Sequence, residues 1–202
     1  MAVRGRPREF DVDEALERAV EVFWRQGYEG TSLNDLTGAM GISRPSLYAA
    51  FGNKEGTFRQ AVARYARVDM AYVDEALDQP TAYEVAAHYL RSNVEAVTRP
   101  ERPAGCLSIQ GGLAGNPEDQ RVIDFLAASR RAGEDRFTER FRQAIKDGQL
   151  SAAEDPAELA RYLATVTAGI AVQAAGGATR SELQAVAERS LRAFPQTLTK
   201  GL

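Results

Sequence analysis

Apolar residues recur at helical spacing along nearly the whole chain, and alternation of apolar and polar residues over strand lengths is scarce. A chain patterned this way buries one stripe of each helix against other helices, so the expected fold class is all-α, with about nine helices. The first helix is well marked. Asp11 and Glu14 fit a capping box, and Val12, Ala15, Leu16, Ala19, Val20 and Phe23 then form one stripe. Gly27 and Gly30 close it. A short second helix, capped by Thr31 or Ser32, carries Leu33, Leu36 and Met40 on one face. A third begins at Ser43 with Pro45 in its first turn, and Leu47 and Phe51 face inward. One long helix is expected from Lys54 to about Leu77, and another from Thr81 to about Val97. Arg99-Pro100 to Arg102-Pro103 reads as a stiff linker, and Gly105 to Ala114 as a short apolar segment. Pro117 opens a long helix with the stripe Val122, Phe125, Leu126, Phe137, Phe141 and Ile145. The last two helices run from Asp155-Pro156 to about Ala175 and from Ser181 to Phe194.

Composition excludes several function classes. The net charge of −3 over 202 residues gives no global basic field. A single cysteine, Cys106, excludes an internal disulfide framework and a multi-cysteine zinc site, and a single histidine, His88, excludes a two-histidine metal centre. No metal and no cofactor are expected. No apolar run approaches the ~20 residues of a membrane span. The basic N-terminus runs into acidic helical sequence rather than an apolar signal segment, so the expected location is the cytoplasm, without membrane association. Charge is nevertheless distributed unevenly. Arg4, Arg6 and Arg8 precede any acidic residue, and the stretch from Thr37 to Lys54 contains none.

That acid-free stretch holds the most informative constellation. Met40-Gly41-Ile42 joins the second and third helices as a tight pair, a helix-turn-helix, in which Gly41 supplies the positive φ of the turn. The second helix of such a pair fits a DNA major groove, about 12 Å wide, provided its N-terminal residues are short or bear donors. Ser43, Arg44, Pro45 and Ser46 meet that need. Arg44 can donate two hydrogen bonds to guanine O6 and N7, and Tyr48, large and polar-tipped, suits a phosphate. Lys54 adds its charge to the N-terminus of the fourth helix, which favours anions. Arg4, Arg6 and Arg8 read equally as a solvated tail or as an arm entering the minor groove.

The run GYEGTSLNDLTGAMGISRPSLYAAFGNKEGTF resembles the DNA-binding segment of the tetracycline-repressor (TetR) family over about residues 10–65. The resemblance lies in the aromatic-glycine turn, Thr-Ser opening the second helix, Gly-Ile-Ser at the turn, Leu-Tyr then Phe in the third helix and Asn-Lys before the fourth. It implies a homodimeric transcriptional regulator, most often a repressor, that binds a palindromic operator in double-stranded DNA and is released by a small-molecule effector. It implies a DNA-binding domain, here residues 1–55, and a ligand-binding and dimerisation domain, residues 56–202, which dimerises through its last two long helices. Carried over by position, Ser32 falls on a phosphate contact, Asn34 on a variable position that sometimes reaches a base, and Arg44 and Pro45 on base-reading positions. Ser46 and Tyr48 fall on base or phosphate positions, and Lys54 on a phosphate position. Ala49 and Ala50 depart from the bulkier residues that some members carry.

Elsewhere the residues leave alternatives open. Ala160, Ala164, Ala168, Ala171 and Ala175 recur at helical spacing beside Val172, and either pack within one subunit or let a symmetry-related helix approach. With Leu191 of the last helix, Ala164, Ala168, Ala171, Val172 and Ala175 are the expected dimer contacts. Pocket candidates are Met70, Tyr72, Tyr89, Cys106, Gln110 and Phe125, a mostly apolar set with few polar anchors. Cys106 reads as a buried small hydrophobe, a pocket residue or a redox sensor. Two other classes stay in view: a helical interaction protein that does not bind DNA, and a small-molecule enzyme built on His88. Against the enzyme, there is no G-x-S-x-G elbow and no phosphate-cradling loop, and no catalytic residue is assigned.

Overall fold

The computed structural model describes residues 10–111 and 120–196. Arg4, Arg6 and Arg8, and the expected helix start at Pro117, lie outside the described residues. Those residues form ten α-helices and no strand: α1 (Val12–Gly30), α2 (Leu33–Met40), α3 (Arg44–Phe51), α4 (Lys54–Val68), α5 (Tyr72–Leu77), α6 (Ala82–Val97), α7 (Leu107–Gln110), α8 (Gln120–Lys146), α9 (Pro156–Ala175) and α10 (Arg180–Ala193).

The anticipated stripes are the buried faces. Ala15, Leu16, Ala19, Val20 and Phe23 of α1 close over Leu36 and Met40 of α2, Leu47 and Phe51 of α3, and Phe58, Ala61 and Val62 of α4. Gly27, at φ 70° and ψ 174°, ends the regular part of α1 and turns the chain toward α2. Gly41, at φ 67°, sets the angle between α2 and α3. Residue 55 lies in the first turn of α4, and beyond it Phe58 meets Phe23 edge-on with ring centroids 4.9 Å apart, so α4 is shared between the N-terminal unit and the rest. The other helices form a second bundle in which α6 packs on α9 and α10, and α8 on α9, while α7 touches α1, α4, α8 and α9.

The single helix expected from Lys54 to Leu77 is two. It breaks at Asp69, where the amide N–H groups of Asp69 and Met70 both donate to the Tyr65 carbonyl (2.8 and 3.2 Å). Tertiary partners hold the break open. Arg102 Nε donates to Asp69 Oδ1 at 3.0 Å, and Arg99 Nη2 to the Asp69 carbonyl at 2.9 Å. Asp69 is only 3% exposed, so Arg102 solvates a carboxylate that would otherwise be costly to bury, while Arg99 satisfies the backbone carbonyl of the same residue. The same Arg102 reaches Glu17 and Glu21 of α1 (3.2 and 3.4 Å), and Arg64 of α4 reaches Asp13 and Glu17 (3.1 and 3.2 Å). An ionic network therefore ties α1 to the α4–α5 break.

Candidate functional site

The second and third helices are held by their own caps. Asp35 donates its backbone N–H to Ser32 Oγ (3.1 Å), and Ser32 donates its own to Asp35 Oδ2 (2.8 Å), a reciprocal capping box at the start of α2. Those hydrogen bonds hold the Asp35 carboxyl below its usual range. Ser43 caps α3 by accepting the Ser46 N–H at 3.2 Å, and the two hydroxyls lie 2.8 Å apart. Asn53 caps α4 by accepting the Gly56 N–H at 2.8 Å. Gly56 leaves no room for a side chain, since a Cβ there would sit 2.1 Å from the Phe51 carbonyl oxygen; α3 and α4 thereby join closely.

On this scaffold α3 buries Leu47 and Phe51 and turns the opposite face to solvent. Ser43, Arg44, Pro45, Tyr48 and Ala49 are exposed and Ser46 partly so; Tyr48 keeps 49% of its surface. Arg44 Nη2 donates to Asn34 Oδ1 at 2.8 Å, which joins two of the sequence-predicted residues across the turn. That bond uses one of the five guanidinium N–H donors and orients the rest. Lys54 Nζ stands 4.4 Å from the Tyr28 ring centroid and donates to the Glu29 carbonyl at 3.4 Å, which keeps it beside the α4 N-terminus. Cap hydroxyls, a fixed arginine, an exposed phenol and a lysine thus share the region around the start of α3, a set suited to phosphates and base edges.

The pocket candidates divide. Tyr72, Tyr89 and Cys106 come together, joined by three residues the sequence reading had not assigned to a pocket: Tyr65, Asn93 and Thr167. Tyr65 OH donates to Cys106 Sγ at 3.3 Å, Asn93 Nδ2 donates to Tyr72 OH at 3.0 Å, and the Tyr89 and Thr167 hydroxyls are 3.4 Å apart. Burial pushes the phenols of Tyr65, Tyr72 and Tyr89 above their ordinary range, so all three are neutral. Asn93 carried a usable signal: it occupies the buried register of α6 with Ala86, Leu90 and Val97, where a polar residue is out of place. Met70, half-buried, follows the break. Gln110 and Phe125 are turned toward the N-terminal helices instead. Gln110 Oε1 accepts the Trp24 Nε1–H at 3.2 Å, and Phe125 lies 4.5 Å beneath the Arg59 guanidinium of α4. Their partners are polar or cationic groups of α1 and α4, which drew them away from the tyrosines.

Two of the expected dimer contacts are corrected. Ala171 and Leu191 are each 1% exposed and belong to the protomer's own core, because they lie on the sides of α9 and α10 that face neighbouring helices. Val172 and Ala175 face outward, and Ala164 and Ala168 are partly exposed. His88 Nε2 lies 3.5 Å from a Glu75 carboxylate oxygen, and the Cys106 thiol accepts from Tyr65 OH.

An exposed recognition helix set by a glycine turn on a capped three-helix unit, followed by a helical bundle, defines a helix-turn-helix DNA-binding regulator. Residues 15–61 match the family model of bacterial regulatory proteins, tetR family. The chain is 35% identical over 198 residues to the HTH-type transcriptional repressor ComR of Escherichia coli (strain K12), spanning 96% of this chain and 93% of the relative. It is 37% identical over 161 residues to the HTH-type transcriptional regulator YezE of Bacillus subtilis (strain 168), spanning 79% and 83%. A structure of the TetR family transcriptional regulator CifR, a cysteine mutant complexed with 26-bp double-strand operator DNA, superposes with a TM-score of 0.90. It is 50% identical and spans 94% of this chain and all of the CifR chain. The chain belongs to the TetR family and is a transcriptional regulator of that family. Among the described residues no helix is long and apolar enough to cross a membrane.

Proposed function

We propose that the chain is a cytoplasmic repressor that binds a palindromic operator as a homodimer and leaves it when a small molecule occupies the bundle of residues 56–202. The observation that carries this reading is the exposed α3 face, with Arg44 aligned by Asn34 and Tyr48 open to solvent. In this reading Arg44 reads a guanine, Ser43, Pro45 and Ser46 lie along base edges, and Ser32, Tyr48 and Lys54 hold phosphates. Arg4, Arg6 and Arg8 supply a minor-groove arm. The effector sits among Tyr65, Tyr72, Tyr89 and Cys106. The wording of the relatives agrees: ComR is named a repressor, and CifR is described on operator DNA.

Two recognition helices must lie about 34–36 Å apart to read successive major-groove faces. In this reading the second copy docks against the outward side of α9 and α10. Val172 and Val186, 47% and 49% exposed, are the large apolar side chains such a contact would cover. Cys106 connects effector to DNA, because it is held by Tyr65 of α4 and precedes α7, whose Gln110 grips Trp24 of α1. An effector favouring a different α4 tilt would shift the population off DNA.

The test is gel retardation and footprinting on DNA upstream of the chain's own gene. A protected inverted repeat, with affinity falling as salt rises, is the expected result. Equal, salt-insensitive behaviour on every fragment would leave a helical interaction protein.

A further inference from the structure

Asn93 is 4% exposed, one N–H of its Nδ2 is donated to Tyr72 OH, and its Oδ1 is buried without any hydrogen-bond partner. A buried carbonyl oxygen left bare is costly and calls for a partner. The Tyr72 hydroxyl, having accepted from Asn93, still has its own proton to give. The pair therefore presents one acceptor and one donor side by side. Reversing the Asn93 amide would exchange the two roles and leave the same complement of one each.

The surroundings are apolar and aromatic. Tyr72 stacks near Tyr89 with centroids 6.1 Å apart, and Tyr89 lies 4.4 Å from Phe137. Tyr72 and Tyr89 keep part of their surface accessible even though desolvation governs their phenols. Of the charges within electrostatic reach, Asp69 near Tyr65 is paired with Arg102, while Arg99 near Tyr72 donates to the carbonyls of Ala96 and Asp69. Two surface grooves, one along α10 and one between α1 and α2, share no residue with this cluster.

Resting on the reading of this cluster as the effector pocket, we infer that the effector is a small molecule whose apolar body lies against Tyr72, Tyr89 and Phe137. It carries one group that both donates and accepts, a hydroxyl or a primary amide, bound between Asn93 Oδ1 and Tyr72 OH.

Benzyl alcohol, benzyl methyl ether and toluene separate the possibilities, because they share one ring and differ in hydrogen bonding. Their binding is measured by calorimetry on the full-length protein without DNA, at millimolar concentration. A merely greasy void takes toluene best. The inferred site takes benzyl alcohol about tenfold tighter than either of the others, since only the hydroxyl can both donate to Asn93 Oδ1 and accept from Tyr72 OH. N93L removes that preference, and its melting temperature is unchanged or higher because an unpartnered oxygen is gone. Y72F weakens benzyl alcohol while leaving toluene alone, and serves as the second variant should N93L not fold. Toluene binding at least as well as benzyl alcohol overturns the inference, as does no binding by any probe, or the same order in N93L or Y72F. The repressor reading is tested apart from this, by operator retardation with the probe-free protein; its failure would leave the calorimetric order standing.

Discussion

Arg44 and Lys54 are both cations at helix N-termini beside the turn, yet their chemistry separates them. A guanidinium held on one side by Asn34 offers a flat pair of donors, whereas an ammonium over the Tyr28 ring offers a point charge. Arg44→Ala is expected to cost about 1–3 kcal/mol in operator binding and to relax preference at one base pair of each half-site, read by titrating single-base operator variants. A uniform loss over all variants would place Arg44 on phosphate. Lys54→Ala should leave base preference intact and reduce the slope of log affinity against log salt by about one per subunit. The placement of both cations at helix starts was legible in the sequence, because caps and glycine turns are local signals. The Asn34–Arg44 bond was not legible, since it depends on how α2 and α3 cross.

Helix boundaries were legible where a cap is local, as at Ser32, Ser43 and Thr81, while the last helix, expected from Ser181, is capped two residues earlier by Thr179. Ser32, Ser43, Thr81 and Thr179 each accept the N–H three residues on, and α2, α6 and α10 close full capping boxes with Asp35, Glu84 and Glu182. In Asp35 and Glu182 those bonds depress the carboxyl below its ordinary value of about 4. The sign follows directly. The stabilisation is complete above that ordinary value and is lost as pH falls through the lower value of the folded protein. Urea midpoints should therefore hold from pH 7 to about 5 and decline toward pH 2. Glu182→Gln, which can still close the box but cannot titrate there, should flatten part of the decline; an identical acid limb would refute the role. The break between α4 and α5 was not legible. Residues 54–77 keep helical spacing throughout, and only the distant Arg99 and Arg102 make termination at Asp69 favourable.

Across the whole molecule, orientation depends on few polar links between units. Arg102 spans Asp69, Glu17 and Glu21 from a position 14% exposed, and Asp69 is almost fully enclosed. Arg102→Met should cost about 3–5 kcal/mol in urea unfolding, because it strands a buried carboxylate. Adding Asp69→Leu should recover most of that loss, and a double variant no better than the single one would show that packing rather than charge is at stake. On the far side of the molecule, Val172→Asp is expected to convert a dimer to monomers in sedimentation. It should weaken operator binding about 30-fold or more, the size of a strong interface position. A dimer that persists would move the interface away from α9.

Composition and spacing alone determined an all-helical chain, a turn at Gly41 and an arginine at the start of the helix that follows it, because helical stripes, caps and positive-φ glycines act over a few residues. Which tyrosines meet Cys106, why Asn93 is buried, where the fourth helix stops, and that Ala171 and Leu191 belong to the protomer's own core were decided only by tertiary structure. Those outcomes turn on contacts between residues tens of positions apart, and local periodicity carries no information about which distant partner a buried face will meet.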